Sequence, residues 1–170
     1  DTNGLMSAPI VIGPSNQVGM AGNNFRPDVG GDGYPSPQAY FTIVFEHEAS
    51  LGNHDIYLRQ LDQTGALRAA MPIALDTGAT MQENPSISAW NGPDVFARAL
   101  VAWQSANTVA TGTEDILGAW VDWAGGVPVP AFVVSQNWYP ERRPSVSSIA
   151  NVLGTTCAAV VWETDYGTDN

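Results

Sequence analysis

The stretch PSISAWNGPDVFARALVAWQSANTVATGTEDILGAWVDWAGGVPVPAFVVSQNWYPERR, Pro85 to Arg143, decides the fold, because the rest of the chain aligns with it as repeats. An opening proline recurs with spacings of 58 and then 59 residues, and an aromatic residue that closes an apolar run follows each proline by 18 positions. The three pairs are Pro27 and Phe45, Pro85 and Trp103, and Pro144 and Trp162. Self-similarity of this kind is typical of repeat architectures, in which one unit buries its surface only by stacking on its neighbours.

A second set of landmarks follows the aromatic residue, but the third copy lacks it. Asp55-Ile56 and Asp115-Ile116 recur, each with a further aspartate and then a glycine downstream, and the start of the chain supplies the matching Asp1 and Gly4. We therefore predict one repeat domain with units at 27–84, 85–143, and 144–170 joined with 1–26. In this alignment the third unit has no segment equivalent to residues 54–61.

Short apolar runs separated by Pro, Gly, Asn, Asp and Ser predict an all-β chain, since no apolar pattern with helical period persists. The predicted strands of the central unit are Ser86–Trp90, Phe96–Ser105, Asp115–Asp122 and Pro130–Ser135. Four strands per unit is the inventory of a propeller blade.

The second strand of each unit is largely apolar on both faces, as in the run Phe96–Ser105. A strand buried on both faces lies in a sheet with a neighbour on each side, which favours a β-propeller-like fold of three four-stranded blades over the alternative, a β-sandwich. Because propellers usually close with about four to eight blades, we expect either two chains to combine or the chain to belong to a longer array.

The repeats resemble those of a known group of proteins. The segments VFEHEASLGNHDIYLRQLDQTG, residues 44–65, and VAWQSANTVATGTEDILGAWVDWAGG, residues 101–126, share an apolar run, an aromatic residue with Glu or Gln, Asp-Ile, and Asp-x-x-Gly. This pattern resembles the tandem repeats of large secreted or surface-anchored bacterial proteins, which are taken to be propeller-like. The resemblance implies an extracellular or cell-surface location and a repeat scaffold, and it carries over no catalytic residue.

The net charge of -11, with arginine as the sole basic residue type besides two histidines, argues against binding to nucleic acid or to anionic membranes. No run approaches the roughly 18 apolar residues of a membrane span. The single cysteine, Cys157, lies in an apolar stretch and is predicted to be a core residue.

Two groups of carboxylates are candidates for a calcium site. Asp28 and Asp32 flank glycines in PDVGGDGYP, and Asp165 and Asp169 lie in ETDYGTDN. Closely spaced carboxylates with glycines suit calcium, but the alternative is a solvated acidic loop in which aspartates cap turns. No cofactor other than this calcium is predicted.

No catalytic residues are predicted. A glycosidase needs two facing carboxylates, yet Glu46, Gln104 and Glu163 are equivalent repeat positions, which favours a structural role. His47 and His54 could meet across a hairpin, where a metal would need a further ligand from Glu46, Glu48 or Asp55.

The aromatic residues supply the candidate ligand-binding site. Trp103 and Trp162 recur at one repeat position, so both are predicted to be core residues. Trp138 and Tyr139 do not recur and lie beside Arg142, a combination that suits stacking on a sugar ring, contact with a protein, or packing against a neighbouring unit.

Three functions are compatible with these features. The favoured one is a non-enzymatic extracellular scaffold, such as a surface-layer, filament or adhesin module, which associates with itself or with neighbouring repeats. The second is a carbohydrate-binding propeller lectin. The third is a glycosidase-type propeller enzyme.

Overall fold

The computed structural model describes residues 22–31, 40–62, 64–89, 98–106, 113–122, 129–152 and 155–167. Every regular element in these ranges is a β-strand paired antiparallel with its neighbours, which confirms the predicted all-β class. The strands are β1 (Asn23–Gly31), β2 (Tyr40–Ser50), β3 (Asn53–Asp62), β4 (Ile73–Asp76), β5 (Gln82–Ile87), β6 (Arg98–Ala106), β7 (Glu114–Asp122), β8 (Val129–Ser135), β9 (Glu141–Val146), β10 (Ala150–Val152), β11 (Thr155–Cys157) and β12 (Val160–Thr164).

These strands form two large sheets and two small ones. The first sheet has the order β1-β2-β3-β4, and the second repeats it as β5-β6-β7-β8. In the third sheet β9 pairs with β12, while β10 and β11 form a separate hairpin between them in sequence. Consecutive strands are neighbours in both large sheets, as in a β-meander. The turn between β2 and β3 places Gly52 at a φ of 79°, where glycine avoids the clash of a side chain.

The strands β6, β7 and β8 overlap the predicted strands of the central unit, with ends that differ by at most one residue where both ends are described. Trp90 and Phe96, at the ends of two predicted strands, lie outside the described residues. The first strand differs more. β5 begins at Gln82, ahead of the predicted start at Ser86, and runs through Pro85. A proline has no N–H to donate to a ladder, so the sequence favours a strand that begins after it. Here the register of β5 against β6 shifts between Glu83 and Ser86, and the proline is accommodated at that bulge.

The same bulge occurs in the first strand of three sheets, β1, β5 and β9. The residue before each opening proline has a positive φ, of 45° at Arg26, 52° at Asn84 and 50° at Arg143. Each first strand shifts its register against the second strand at this point. Such a conformation is unfavourable for residues other than glycine and asparagine, so a recurring contact must hold it in place.

The first two sheets stack front to back. We call one face of each sheet the front face and the opposite one the back face. The front face carries Val44 in the first sheet and the equivalent Ala102 and Val161 in the second and third. The main core contains front-face residues of the first sheet and back-face residues of the second, because side chains alternate along a strand. These residues are Val44, Ile56 and Leu58 from the first sheet, and Ile87, Ala99, Val101, Trp103, Ala119 and Val121 from the second.

The third sheet continues the stack. β9 lies against β5, β6 and β7, and the front-face residues Leu100, Ala102 and Gln104 of β6 are buried. Trp103 is fully buried, as predicted, whereas Trp162 is 36% exposed and its prediction as a core residue is wrong. The reason is that, among the described residues, β12 has one partner strand, so its tryptophan lies near an open sheet edge.

Candidate functional site

Successive sheets are joined by a cluster of hydrogen bonds. The cluster is centred on one position in the second strand of each sheet. In the first sheet this position is Glu46, which is fully buried. Both carboxylate oxygens accept from Arg26 Nη1 at 2.9 Å, and Oε2 lies 3.1 Å from His54 Nδ1. Oε1 also accepts from the backbone N–H of Asn84 in the second sheet, at 2.7 Å. The Glu46 carboxylate therefore binds the side chain of Arg26, the positive-φ residue of its own sheet. It also binds the backbone of Asn84, the positive-φ residue of the next sheet.

Gln104 repeats this arrangement between the second and third sheets. Its Oε1 accepts from Asn84 Nδ2 at 2.6 Å, within its own sheet, and from the backbone N–H of Arg143 in the third sheet, at 3.2 Å. A glutamine performs the task of a glutamate, so the shared requirement is an acceptor oxygen rather than a charge.

A second contact accompanies the first at both junctions. The residue after the opening proline accepts, through its side chain, from a backbone N–H of the following sheet. Asp28 Oδ2 accepts from Ile87 N–H at 2.9 Å, and Ser86 Oγ accepts from Val146 N–H at 3.2 Å. Each junction thus fixes the first strand of the next sheet at two points.

The third sheet presents the same acceptors to solvent. Glu163, equivalent to Glu46 and Gln104, has a side chain that is 64% exposed and accepts from Arg143 Nη1 of its own sheet at 3.0 Å. Ser145, equivalent to Asp28 and Ser86, is exposed. Val161 is 64% exposed. We call the surface formed by Ser145, Ala159, Val161 and Glu163 the open front face.

Part of the opposite end of the stack is also exposed. Val29 and Phe41 lie on the back face of the first sheet and are 60% and 50% exposed, whereas the equivalent Ile87 and Ala99 of the second sheet are each 5% exposed. The neighbouring part of this face is covered, since Arg59 is buried and donates to the carbonyl oxygens of Ala69 and Ala70. We call the surface formed by the side chains of Val29 and Phe41 and the backbone of Arg26 the open back face.

The predicted aromatic site is exposed and contains one residue that the sequence did not indicate. Trp138 is 79% exposed and Tyr139 is 43% exposed. The ring of Tyr139 packs edge-on against that of Tyr166, with centroids 5.0 Å apart. Tyr166 comes from a distant loop of the third unit, so no pattern near Trp138 could have identified it.

Arg142 is the charged member of this region. Its Nε donates to Glu114 Oε2, and its Nη1 lies 3.9 Å from Asp165 Oδ2. The hydrogen bond to Glu114 raises the pKa of Arg142, and nearby acidic groups add to the shift. The guanidinium therefore stays cationic and contacts two carboxylates, Glu114 and Asp165.

The candidate calcium ligands are divided by the structure. Asp28 uses both carboxylate oxygens as backbone acceptors, since Oδ1 accepts from Val29 N–H and Oδ2 from Ile87 N–H, each at 2.9 Å. Asp165 Oδ1 accepts from Gly167 N–H at 3.0 Å, which caps a turn. Asp32 and Asp169 lie outside the described residues. The calcium prediction therefore stays a prediction, and both described aspartates have structural roles.

The histidine prediction leads to a cluster of Glu46, His54 and Glu83, whose potential ligand atoms lie within 4.8 Å of one another. Arg26 Nη1 donates to both Glu46 and Glu83, the latter at 3.3 Å. The hydrogen bond to Glu46 raises the pKa of Arg26. The guanidinium thus places one positive charge between these two carboxylates.

His47 lies elsewhere, in a buried polar pair. It is 1% exposed and faces Asp55, which is 5% exposed, across β2 and β3. Burial lowers the pKa of His47 and raises the pKa of Asp55, while the attraction between the two groups opposes both shifts. A neutral imidazole is the form that this site favours.

One cavity of about 230 Å³ lies beside the second sheet, lined by residues that include Ser105, Asp115 and Leu117. Glycoside hydrolysis requires two carboxyl groups across a cleft. Among the described residues that line this cavity, Asp115 is the single carboxylate.

No protein-family model matches the chain, and no curated protein or solved structure is significantly similar to it. Within the residues that the structure describes, no helix has the length and apolar character needed to cross a membrane.

Proposed function

We propose that the protein is a non-enzymatic, self-associating repeat scaffold of the extracellular space or cell surface, with a β-propeller-like arrangement of its sheets. One observation carries this proposal: the third sheet presents outward the face that is buried in the other two. Val161 is 64% exposed, whereas the equivalent Val44 and Ala102 are fully buried. Removing such apolar surface from water favours association.

Front-to-back stacking supports the propeller-like form over a two-layer sandwich. In a sandwich, two sheets turn equivalent inner faces toward each other. Here the front face of one sheet packs against the back face of the next, so the stack has no symmetric end and further sheets can be added in the same way. The repeat pattern shared with secreted bacterial proteins supports the extracellular location.

Sedimentation analysis of the unmodified chain over a wide concentration range tests the proposal. We expect the mass-average molecular weight to rise above the 18.0 kDa of a single chain as the concentration increases. A mass that stays at one chain at every concentration would contradict self-association.

Carbohydrate binding is the second candidate, and the exposed ring of Trp138 is the observation that favours it. Trp138 lies next in sequence to Tyr139, which packs on Tyr166. Exposed aromatic faces near hydrogen-bonding groups suit the apolar face of a sugar. Glycan-array binding that is lost in Trp138→Ala would support this function, and a silent array would count against it.

A further inference from the structure

We propose that a second copy of this chain docks head to tail, with the open front face of one copy packed on the open back face of the next. This inference rests on the proposed self-association and names its two surfaces. The occupant of the open front face is thus the first sheet of another copy, seated as the second sheet is seated on the first.

The template for this contact is present twice within the chain. At each internal junction an acceptor on the second strand binds the backbone N–H of the positive-φ residue in the next sheet: Glu46 binds Asn84 and Gln104 binds Arg143. Glu163 is the third acceptor of the series, and its side chain is 64% exposed. The same contact in a docked pair would join Glu163 to the next copy.

Arg26 is the matching donor. It has the same backbone conformation as Asn84 and Arg143, with a φ of 45°, and it also precedes a proline. Its side chain is already bound to Glu46 of its own sheet, as that of Arg143 is bound to Glu163. Arg26 therefore shares a positive φ with Asn84 and Arg143, whose backbone N–H groups donate to Glu46 and Gln104.

The apolar surfaces match in the same register. In the internal junction, Val44 of the front face and Ile87 and Ala99 of the next back face belong to one core cluster. Their equivalents at the open ends are Val161, Val29 and Phe41, which are 64%, 60% and 50% exposed. Docking would bury all three side chains in one contact.

The second hydrogen bond of the junction requires one exchange. Its donor in the first sheet, Val29 N–H, is bound in the single chain to Asp28 Oδ1 at 2.9 Å. On docking, Ser145 Oγ of the neighbouring copy would replace Asp28 Oδ1 as the acceptor of Val29 N–H. Ser86 Oγ accepts from Val146 N–H in the same way at the second internal junction. The contribution of this exchange is small, because one hydrogen bond substitutes for another.

This contact joins two different surfaces and is therefore heterologous. Repetition of a heterologous contact produces a closed ring when the rotation per copy closes, and an open filament when it does not. Both outcomes differ from a symmetric dimer, in which the same surface would contact itself.

Two substitutions at exposed positions test the polarity of the contact. Val161→Arg blocks the open front face and Phe41→Arg blocks the open back face. Each variant alone is expected to sediment as a monomer at concentrations where the unmodified chain associates. An equimolar mixture is expected to form a dimer and nothing larger, because each variant keeps the surface that the other has lost. If Val161→Arg alters the circular dichroism spectrum, Ala159→Arg replaces it, and if Phe41→Arg does so, Val29→Arg replaces it.

Each other outcome contradicts a defined part of the account. An unmodified chain that never associates overturns the proposed function and this inference together. If the chain associates but Phe41→Arg has no effect, or if the mixture of variants stays monomeric, self-association stands and head-to-tail docking is overturned.

Glu163 provides a matched control for the hydrogen bond. Glu163→Gln is expected to retain self-association, because Gln104 fills the equivalent position at the second junction. Glu163→Ala is expected to weaken it by about tenfold through loss of the acceptor. Equal association constants for the two variants would exclude Glu163 from the interface.

Discussion

At the scale of single residues, the repeat position shared by Glu46, Gln104 and Glu163 shows how location decides what a side chain does. Glu46 is fully buried and Gln104 is 4% exposed, because each is covered by the next sheet. Glu163 keeps the contact with the positive-φ residue of its own sheet, Arg143, but has no following sheet among the described residues. The alignment of the three repeats indicated a structural role for this position. It could not indicate which of the three side chains would be left uncovered.

Replacement of Glu46 by alanine is expected to lower the free energy of unfolding by about 2–3 kcal/mol, because a buried acceptor bound to a charged donor and to a backbone N–H is lost. Glu46→Gln should have a smaller effect, since it keeps an acceptor like that of Gln104. Chemical denaturation measures both variants. Glu163→Ala is the control and should leave the stability of the monomer nearly unchanged, because its side chain is exposed. Equal losses at Glu46 and Glu163 would contradict the role of burial.

His47 is expected to make the stability of the chain depend on pH. Its folded pKa lies below the ordinary value of 6.5 because the imidazole is buried. The unfolded chain therefore takes up the proton first as the pH falls. The stability that the neutral imidazole contributes is complete above the unfolded pKa of about 6.5. It is lost as the pH falls from there towards the lower folded pKa, at up to about 1.4 kcal/mol per pH unit.

Denaturant unfolding at several pH values measures this effect. His47→Ser, which introduces the residue found at the equivalent position in the second sheet, Ser105, is expected to flatten the dependence in this range. An unchanged slope in His47→Ser would assign the titration to another group.

At the scale of the strand, the sequence indicated the all-β class and most strand positions. Alternating apolar and polar residues and the turn residues between them are local signals. β7 and β8 each begin one residue before their predicted starts at Asp115 and Pro130. β5 differed because the bulge at Pro85 depends on an acceptor, Glu46, that lies in another sheet. Contacts between sheets are not visible in a local pattern.

The two equivalent tryptophans give a test at this scale. Trp103 is fully buried, and its Nε1 donates to Asp76 Oδ2 at 3.1 Å. Trp162 is 36% exposed, although its Nε1 also has an acceptor, Glu141 Oε1, at 3.1 Å. Trp103→Ala is expected to cost about 3–5 kcal/mol of folding stability, and Trp162→Ala less than half of that. Equal losses, measured by chemical denaturation, would contradict the difference in packing between the second and third sheets.

At the scale of the whole molecule, the chain is a stack with a direction. Two internal junctions repeat the same contacts between residue positions. The surfaces at the two ends of the stack carry the equivalent positions, and we propose that they form a third junction between two copies. The predicted aromatic site, by contrast, depends on Tyr166 meeting Tyr139 through the fold, which sequence spacing does not reveal. Repetition is readable from sequence, whereas the exposure of a terminal face requires the three-dimensional arrangement.

Hydroxyl-radical footprinting with mass spectrometry, at increasing protein concentration, tests the central claim most directly because it reports the solvent exposure of individual side chains. We expect Phe41 and Val161 to become protected together as the sedimenting mass rises, while Trp138, which lies on neither open face, keeps its reactivity. A rise in mass with Phe41 and Val161 still fully reactive, or with protection confined to Trp138 and Tyr139, would contradict the account.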